Sequence, residues 1–232
     1  MPAEIKVLAL QSPQIIINEL AADFEHRTGY RITQLLSHAD LPIHVRQRTD
    51  AGEVFDAAFL ETGFLDQFAK EGKIIDDTRT HFLRVPIGVA VRAGAPKPDI
   101  SSVEAFKRTL LDAKSIAYLK AAISGLYLQG LFERWGIAAE LQPKAKRPET
   151  DTVGDLVAQG DAEIGVTAIA TLMATRGVDV VGPLPPEIQS YVFFAGAVSS
   201  NAVVPDIARE LIKFVTGPTA IPIIKAKGME PW

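Results

Sequence analysis

A strand-like run that leads directly into a helix constrains the fold of this chain more than any other segment. Residues 5–10 are almost continuously apolar, as expected of a buried strand, and Gln11-Ser12-Pro13 follows them. Ser12 is a favourable N-cap, and Pro13 suits the first helical position because its missing N–H would have no partner there. The predicted helix ends at Gly29. Its apolar face is formed by Ile17, Leu20, Ala21 and Phe24. Such a helix directs its unpaired N–H groups and positive dipole end beyond the strand, which predicts a site for a small anion.

The alternation of strand and helix continues through the first part of the chain. Two further strands are predicted at residues 30–36 and 54–60, a helix at 42–48, and another helix that ends at Gly72. Strands that alternate with helices are typical of a mostly parallel sheet covered by helices. The sequence therefore predicts the α/β class.

Two longer apolar strands, at residues 85–91 and 191–198, interrupt this rhythm. Further strands are predicted between them, at 115–118, 162–166 and 178–182, and helices at 101–110, 124–135 and 153–159. Two amphipathic helices, at 205–215 and 219–227, follow the second long strand. We interpret the two long strands as the places where the chain leaves one lobe and returns to it. This predicts a first lobe of residues 1–84 plus 195–232 and a second lobe of residues 85–194.

Composition excludes several classes of function. The net charge of −4 over 232 residues argues against a nucleic-acid partner, which requires a basic face. No apolar run approaches the roughly 20 residues that span a bilayer. The chain has no cysteine, so disulfides, thiolate catalysis and thiolate metal sites are excluded. The first strand begins almost at residue 1, so we expect a cytoplasmic protein if the chain is complete as written, or a periplasmic one if a leader was removed.

Four polar loops are predicted to follow strands and open helices. In open α/β sheets, ligands bind outside the carboxyl ends of the strands. The hydroxyl groups in these loops belong to Ser12, Ser37, Ser124 and Thr167. Each hydroxyl could donate to an oxyanion without adding a charge, or could instead cap its own helix. Their recurrence at corresponding places leaves the two interpretations about equally supported.

Three other side chains are candidates for ligand contact. Arg84, at the start of the first long strand, could bind a carboxylate bidentately or could form a structural ion pair. Tyr118 precedes the Ser124 loop, where a tyrosine more often packs its ring than binds a ligand. His38 lies beside Ser37 and could act as a general base. The four histidines show no metal spacing, and no nucleotide or cofactor motif is present, so no metal or cofactor is predicted.

Seven segments carry a resemblance to a known family, and together they extend over nearly the whole chain. They are residues 4–8, 20–30, 89–101, 113–118, 160–165, 181–185 and 225–231. In these segments the chain resembles the molybdate-binding-protein-like group of substrate-binding proteins of bacterial ABC transporters, which have a type 2 periplasmic binding protein fold. The resemblance implies two α/β lobes, joined by two crossover strands, that close on a small anion. It also implies a monomer, a transporter permease as partner and a periplasmic location.

The resemblance further implies positions for the ligand-binding residues. In such proteins the ligand is bound by a serine after the first strand, a serine after the second strand, and groups from the other lobe. Ser12 and Ser37 stand at the first two positions. Ser124-Gly125 matches a serine–glycine segment that opens a helix of the second lobe.

Three departures from the molybdate-binding pattern bear on the ligand. Gln11 adds bulk, Pro13 removes a backbone amide, and His38 replaces a glycine. These changes weaken the case for molybdate, and Arg84 would suit an organic carboxylate instead.

Two functions are consistent with the sequence. The prediction is a solute-binding protein that closes on a small oxyanion or carboxylate and changes no bond. The alternative is an enzyme on the same scaffold, because some proteins that resemble this group are isomerases of unsaturated tricarboxylates such as aconitate. In that case His38 could supply the base and Arg84 the charge clamp.

Overall fold

The computed structural model describes residues 3–232, which form two compact units. Unit 1 contains the chain as far as Arg84 together with Phe193–Trp232, and unit 2 contains Val85–Val192. The division between the units therefore falls at 84/85 and 192/193 in the chain, whereas the sequence placed the lobe boundaries at 84/85 and 194/195. Among the described residues, no helix is both long and apolar enough to cross a membrane.

The strands and helices of unit 1 come from both parts of its chain. They are β1 (Ala3–Ala9), α1 (Gln11–Thr28), β2 (Tyr30–Gln34), α2 (Pro42–Asp50), β3 (Ala57–Glu61), α3 (Thr62–Lys70), α9 (Pro205–Val215), α10 (Ala220–Ala226) and β10 (Glu230–Pro231). Two long strands run from one unit into the other, β4 (Ile74–Arg92) and β9 (Tyr191–Ser199).

Unit 2 is a continuous segment of the chain. Its elements are α4 (Val103–Asp112), β5 (Ile116–Ala117), α5 (Ile123–Arg134), α6 (Ala138–Leu141), β6 (Ala145–Lys146), α7 (Val153–Gln159), β7 (Ile164–Ala168), α8 (Ile169–Ala174) and β8 (Val178–Pro183). Short 3₁₀ turns lie at Gln142–Lys144 and Pro186–Ile188.

The sheet of unit 1 has the strand order β2-β1-β3-β9. β1 is parallel to both β2 and β3, with Val7 opposite Gln34 and Ala57, while β9 is antiparallel to β3. The predicted α/β class is confirmed, with parallel pairing among β1, β2 and β3 and antiparallel pairing of β9 to β3. Because β1, β2 and β3 run in one direction, their carboxyl ends share one edge of the sheet.

Helix α1 covers this sheet with the apolar face that the sequence predicts, and Ile17, Leu20 and Phe24 are all buried. Gly29 ends the helix with a φ of 74°, a left-handed conformation that glycine adopts without strain. The predicted start was wrong. The helix begins at Gln11, one residue before the predicted N-cap, and Leu10 occupies the N-cap position. Pro13 is still tolerated because first-turn N–H groups need no intrahelical acceptor.

Asp56, just before β3, joins parts of unit 1 that are distant in sequence. Its side chain is 3% exposed, and its carboxylate accepts hydrogen bonds from the backbone N–H groups of Lys6 (2.8 Å), Val203 (2.7 Å) and Val204 (3.1 Å). Its main chain bonds to Lys6 O and to the N–H of Ser199. One residue therefore links β1, β9 and the start of α9 to β3.

Unit 2 has the strand order β4-β7-β5-β6, with β8 also paired to β4. β5 and β7 are parallel, with Ile116 opposite Ile164, and β4 is antiparallel to β7. A buried cluster that includes Phe106, Leu128 and Phe132 fills the space between this sheet and its helices. The carboxyl ends of β5 and β7 consequently lie at one edge, as β1 to β3 do in unit 1.

We expect Asp56→Asn to lower the free energy of unfolding by about 2–4 kcal/mol, because the amide replaces a buried, charged acceptor of three backbone N–H groups and turns its own donor toward some of them. Asp23→Asn, on the exposed side of α1, is the matched control and should change stability by less than about 0.5 kcal/mol. Urea unfolding followed by circular dichroism measures both. Equal midpoints for the two variants would contradict the role given to Asp56.

Candidate functional site

In unit 1, a buried hydrogen bond holds two of the predicted site loops together. The side-chain amide of Gln14, in the first turn of α1, donates to Leu36 O at 2.9 Å and is 6% exposed. Leu36 directly precedes Ser37. The loops that follow β1 and β2 are thus connected at the carboxyl edge of the sheet. Sequence reasoning missed Gln14, because its only signal is a polar residue among the apolar positions of a helix.

The start of α1 is the strongest anion-binding feature of this edge. Ser12 is 4% exposed and occupies the second helical position, and the first turn contains no acidic residue. The first intrahelical bond runs from Gln14 N to Leu10 O at 3.0 Å. The backbone N–H groups before Gln14 therefore have no acceptor within the helix, and Pro13 has no backbone N–H group. An 18-residue helix also directs its positive dipole end toward this point.

Ser37 and His38 differ from Ser12 in being exposed. The backbone N–H of Ser37 donates to a carboxylate oxygen of Asp40 at 2.7 Å, which closes the loop after β2. That amide is therefore committed within the loop, and only the Ser37 hydroxyl could serve a ligand. His44 Nδ1 caps the following helix by accepting the Leu41 N–H at 2.9 Å.

Glu61 is an acidic residue at the same edge that the sequence analysis missed. It ends β3, in which all five residues are buried, and its own exposed fraction is 8%. Its backbone pairs with Phe194 of β9, and α3 begins at the next residue. The sequence signal for Glu61 as a site residue was weak, because a single glutamate after an apolar run is also common at the start of a helix.

Arg84 forms an ion pair within unit 1. Its Nε donates to Glu230 Oε2 at 2.7 Å, and its Nη2 lies 2.5 Å from the same oxygen. The two side chains are 42% and 41% exposed. Their backbones also pair where β10 meets β4. This is the structural ion pair that the sequence left open beside a ligand role.

In unit 2, the corresponding edge carries Ser124 and Thr167. Ser124 is 3% exposed at the second position of α5, and Thr167 is fully buried near the end of β7. The Thr167 hydroxyl has no hydrogen-bond partner. Buried hydroxyl groups nearly always have one, so an unpaired hydroxyl here requires an explanation.

Gly125 is the position in unit 2 where a side chain is least tolerated. A Cβ atom built on it would lie 1.8 Å from Leu119 O and 2.6 Å from the Leu119 carbonyl carbon. The chain after β5 therefore passes directly against the first turn of α5. This close approach explains why a glycine follows Ser124.

Tyr118 packs into the core of unit 2. Its ring contacts Phe132 edge to face, with 5.5 Å between the centroids, and the Arg147 guanidinium lies 5.6 Å above it. Burial raises the pKa of the Tyr118 hydroxyl, and the charge of Arg147 offsets part of that effect. These contacts give Tyr118 the packing role that the sequence analysis considered more common. Across residues 3–232, no group of three or more His, Asp or Glu side chains is placed to hold a metal ion.

Solved structures place the chain in the class of periplasmic binding protein folds. The periplasmic molybdate-binding protein of Azotobacter vinelandii superimposes with a TM-score of 0.76 and 19% identity, over 97% of this chain and 98% of that chain. The sulfate-binding protein SubI of Mycobacterium tuberculosis H37Rv gives 0.77 and 17%, over 99% and 87%. At these identities the likeness shows the fold alone, and it confirms the predicted type 2 fold.

The chain belongs to the family of bacterial extracellular solute-binding proteins, whose sequence profile matches residues 5–230. The resemblance noted from the sequence is thereby confirmed. A relative with higher identity is the aconitate isomerase of a Pseudomonas species, which is 34% identical over 218 residues, or 93% of this chain and 83% of that protein.

We expect Gly125→Ala to lower the free energy of unfolding by at least about 2 kcal/mol, because the backbone at Leu119 must move to admit a methyl group. The matched control is Gly130→Ala in the same helix, where the nearest atom is the flexible end of Arg134 at 3.5 Å. That substitution should stabilise the protein by about 0.5–1 kcal/mol. Thermal unfolding of the two variants should therefore move in opposite directions, and a shared direction would contradict the analysis.

Proposed function

We propose that this solute-binding protein recognises a small organic di- or tricarboxylate. The observation that carries the proposal is its 34% identity to an aconitate isomerase across nearly the whole chain, together with its solute-binding family. A periplasmic location, a permease partner and a monomeric state are the parts of the proposal that rest on the family alone.

The edge of unit 1 supports an organic anion over a compact oxyanion. Ser12 and the start of α1 offer donors and a positive dipole end, which suit a carboxylate group. Pro13 removes one of the amides that would otherwise surround an oxyanion.

The edge of unit 2 supports a ligand contact there. Thr167 has a buried hydroxyl group that no protein atom satisfies, and Ser124 lies in the first turn of α5 at the same edge. A ligand oxygen would supply the missing partner. Under this proposal Ser12, Ser37, Ser124, Gly125 and Thr167 bind the ligand. Arg84 contributes charge beside its ion pair with Glu230, and Tyr118 contributes packing.

A thermal-shift panel tests the class of ligand. Citrate, cis-aconitate, trans-aconitate and succinate are compared with molybdate, tungstate and sulfate. A ligand at a hundred times its dissociation constant adds about 2.7 kcal/mol of stability, which moves the unfolding temperature by several degrees. We expect at least one carboxylate to stabilise the protein and the inorganic oxyanions to have no effect. Stabilisation by molybdate alone would overturn the proposal.

Two serine substitutions test whether both units contact the ligand. Ser12→Ala in unit 1 and Ser124→Ala in unit 2 should each weaken the carboxylate about 5–10-fold, because each removes one hydrogen-bond donor. Ser200→Ala, at an exposed turn of unit 1, is the control and should bind normally. Isothermal titration calorimetry gives the three dissociation constants. If Ser124→Ala binds as tightly as the control, Ser124 has no ligand role.

Isomerisation of aconitate is a second candidate function, favoured by the name of the 34% identical relative. The reaction would move a proton between two carbons of the ligand as the double bond shifts. His38, which is exposed in the loop after β2, is the base that the sequence suggests. Proton NMR of cis-aconitate incubated with the protein distinguishes the two functions. Growth of the trans isomer, lost in His38→Ala, would identify an enzyme, whereas binding without conversion supports the solute-binding proposal.

A further inference from the structure

We infer that Gln34 is a specificity-determining residue whose side-chain amide recognises a hydroxyl group on the bound carboxylate, so that the ligand is a hydroxy di- or tricarboxylate. The inference deepens the proposed function and rests on it. Nothing in the family assignment or in the names of the similar proteins gives Gln34 this role.

The first step of the argument is an amide group without a partner. The Nε2 and Oε1 atoms of Gln34 are both buried, and neither has a hydrogen-bond partner among residues 3–232. The buried Nε of Arg79 also lacks one, but the other two nitrogens of that guanidinium bond to Asp66 and Asp76. In Gln34 the entire polar group remains unsatisfied. Buried amides are nearly always hydrogen-bonded, so a partner from outside the chain is expected for this one.

The second step is position. Gln34 is the last residue of β2 and lies at the carboxyl edge of the sheet, where ligands bind in α/β folds. Two residues later, the Leu36 carbonyl accepts the buried hydrogen bond from Gln14 in the first turn of α1. Gln34 thus directly precedes the loop that carries Ser37, at the same edge as the start of α1. Both of these parts belong to the proposed ligand site.

The third step is that the fold gives no reason for a glutamine at position 34. Gln34 pairs with Val7, which pairs in turn with Ala57, and both of these apolar residues are fully buried. A leucine or valine would continue this apolar row with no polar group to satisfy. Thr33, on the opposite face of the strand, has its hydroxyl bonded to Glu4 at 3.1 Å. A residue that is unfavourable for the fold and lies at a ligand-binding edge is typical of a functional position.

The fourth step is hydrogen-bond chemistry. The amide of Gln34 both donates and accepts, whereas an ionised carboxylate only accepts. A carboxylate could therefore satisfy Nε2 but would leave Oε1 beside another acceptor. A hydroxyl group can accept from Nε2 and donate to Oε1, so it completes both atoms. Thr167 of unit 2 does not select in this way, because a carboxylate oxygen is a sufficient partner for its hydroxyl. The amide thus favours a ligand that carries a hydroxyl group beside its carboxylates.

Two pairs of ligands that differ only by a hydroxyl group test the inference on the unchanged protein. Isothermal titration calorimetry compares citrate with tricarballylate, and malate with succinate, at about pH 8, where the carboxyl groups are ionised. In each pair that binds, we expect the hydroxylated member to bind at least about tenfold more tightly, because its analogue leaves the amide unpaired. Equal affinities within the pairs, or tighter binding of the members without a hydroxyl, would overturn the inference.

Gln34→Leu assigns the preference to this residue, because leucine has a similar volume and no polar group. We expect the ratio of the citrate and tricarballylate dissociation constants to fall below about threefold, through weaker binding of citrate. A residue that only supported the fold would weaken both ligands equally and leave the ratio unchanged. Gln47→Leu, at an exposed position on α2, is the matched control and should keep the full preference. Circular dichroism checks that each variant is folded, and the ligand pairs on the unchanged protein remain decisive if Gln34→Leu is not.

The outcomes separate this inference from the proposed function. If no carboxylate binds the unchanged protein, the proposed function fails and the inference fails with it. If the carboxylates that bind all lack a hydroxyl group, the proposed function stands and the inference is wrong. It is also wrong if Gln34→Leu prefers citrate as strongly as Gln47→Leu does.

Discussion

The carboxylate of Asp56 is the interaction on which unit 1 depends. Unit 1 is built from two separate parts of the chain, and a buried charge with backbone donors from both parts joins them. These N–H groups have their acceptor in the Asp56 carboxylate. The same residue aligns β1 and β9 on either side of β3 through its own main chain. The position of Glu61 at the far end of β3 follows from this alignment.

Hydrophobic periodicity was sufficient to predict the α/β class, the parallel pairing and the face of α1. Periodicity failed to predict strands that are partly exposed or very short. The first long strand was predicted from residue 85, but β4 begins at Ile74. Its first half was missed because only every fourth residue there is buried, so it has no continuous apolar run. The two-residue strands β6 and β10 are too short to leave a periodic signal, whereas β5 lies within the strand predicted at 115–118.

The candidate site was predictable in its hydroxyl groups and not in its supporting residues. Ser12 and Ser124 follow strands, and that order is visible in the sequence, whereas Thr167 was predicted in a loop and lies within β7. Gln14 and Glu61 matter because of burial and contact with distant segments, which a single sequence does not display. For Arg84, the sequence indicated the side chain but not its partner. Glu230 is 146 residues away and becomes its neighbour only through the pairing of β10 with β4.

The division of unit 1 also sets the order in which the protein can fold during synthesis. Unit 2 is contiguous, so all of its residues are translated before Val203 and Val204. Until then, Asp56 lacks two of its amide donors, and β3 lacks its antiparallel neighbour β9. Until then the amino-terminal segment presents an open strand edge, and an unpaired edge of this kind is prone to pair with other chains.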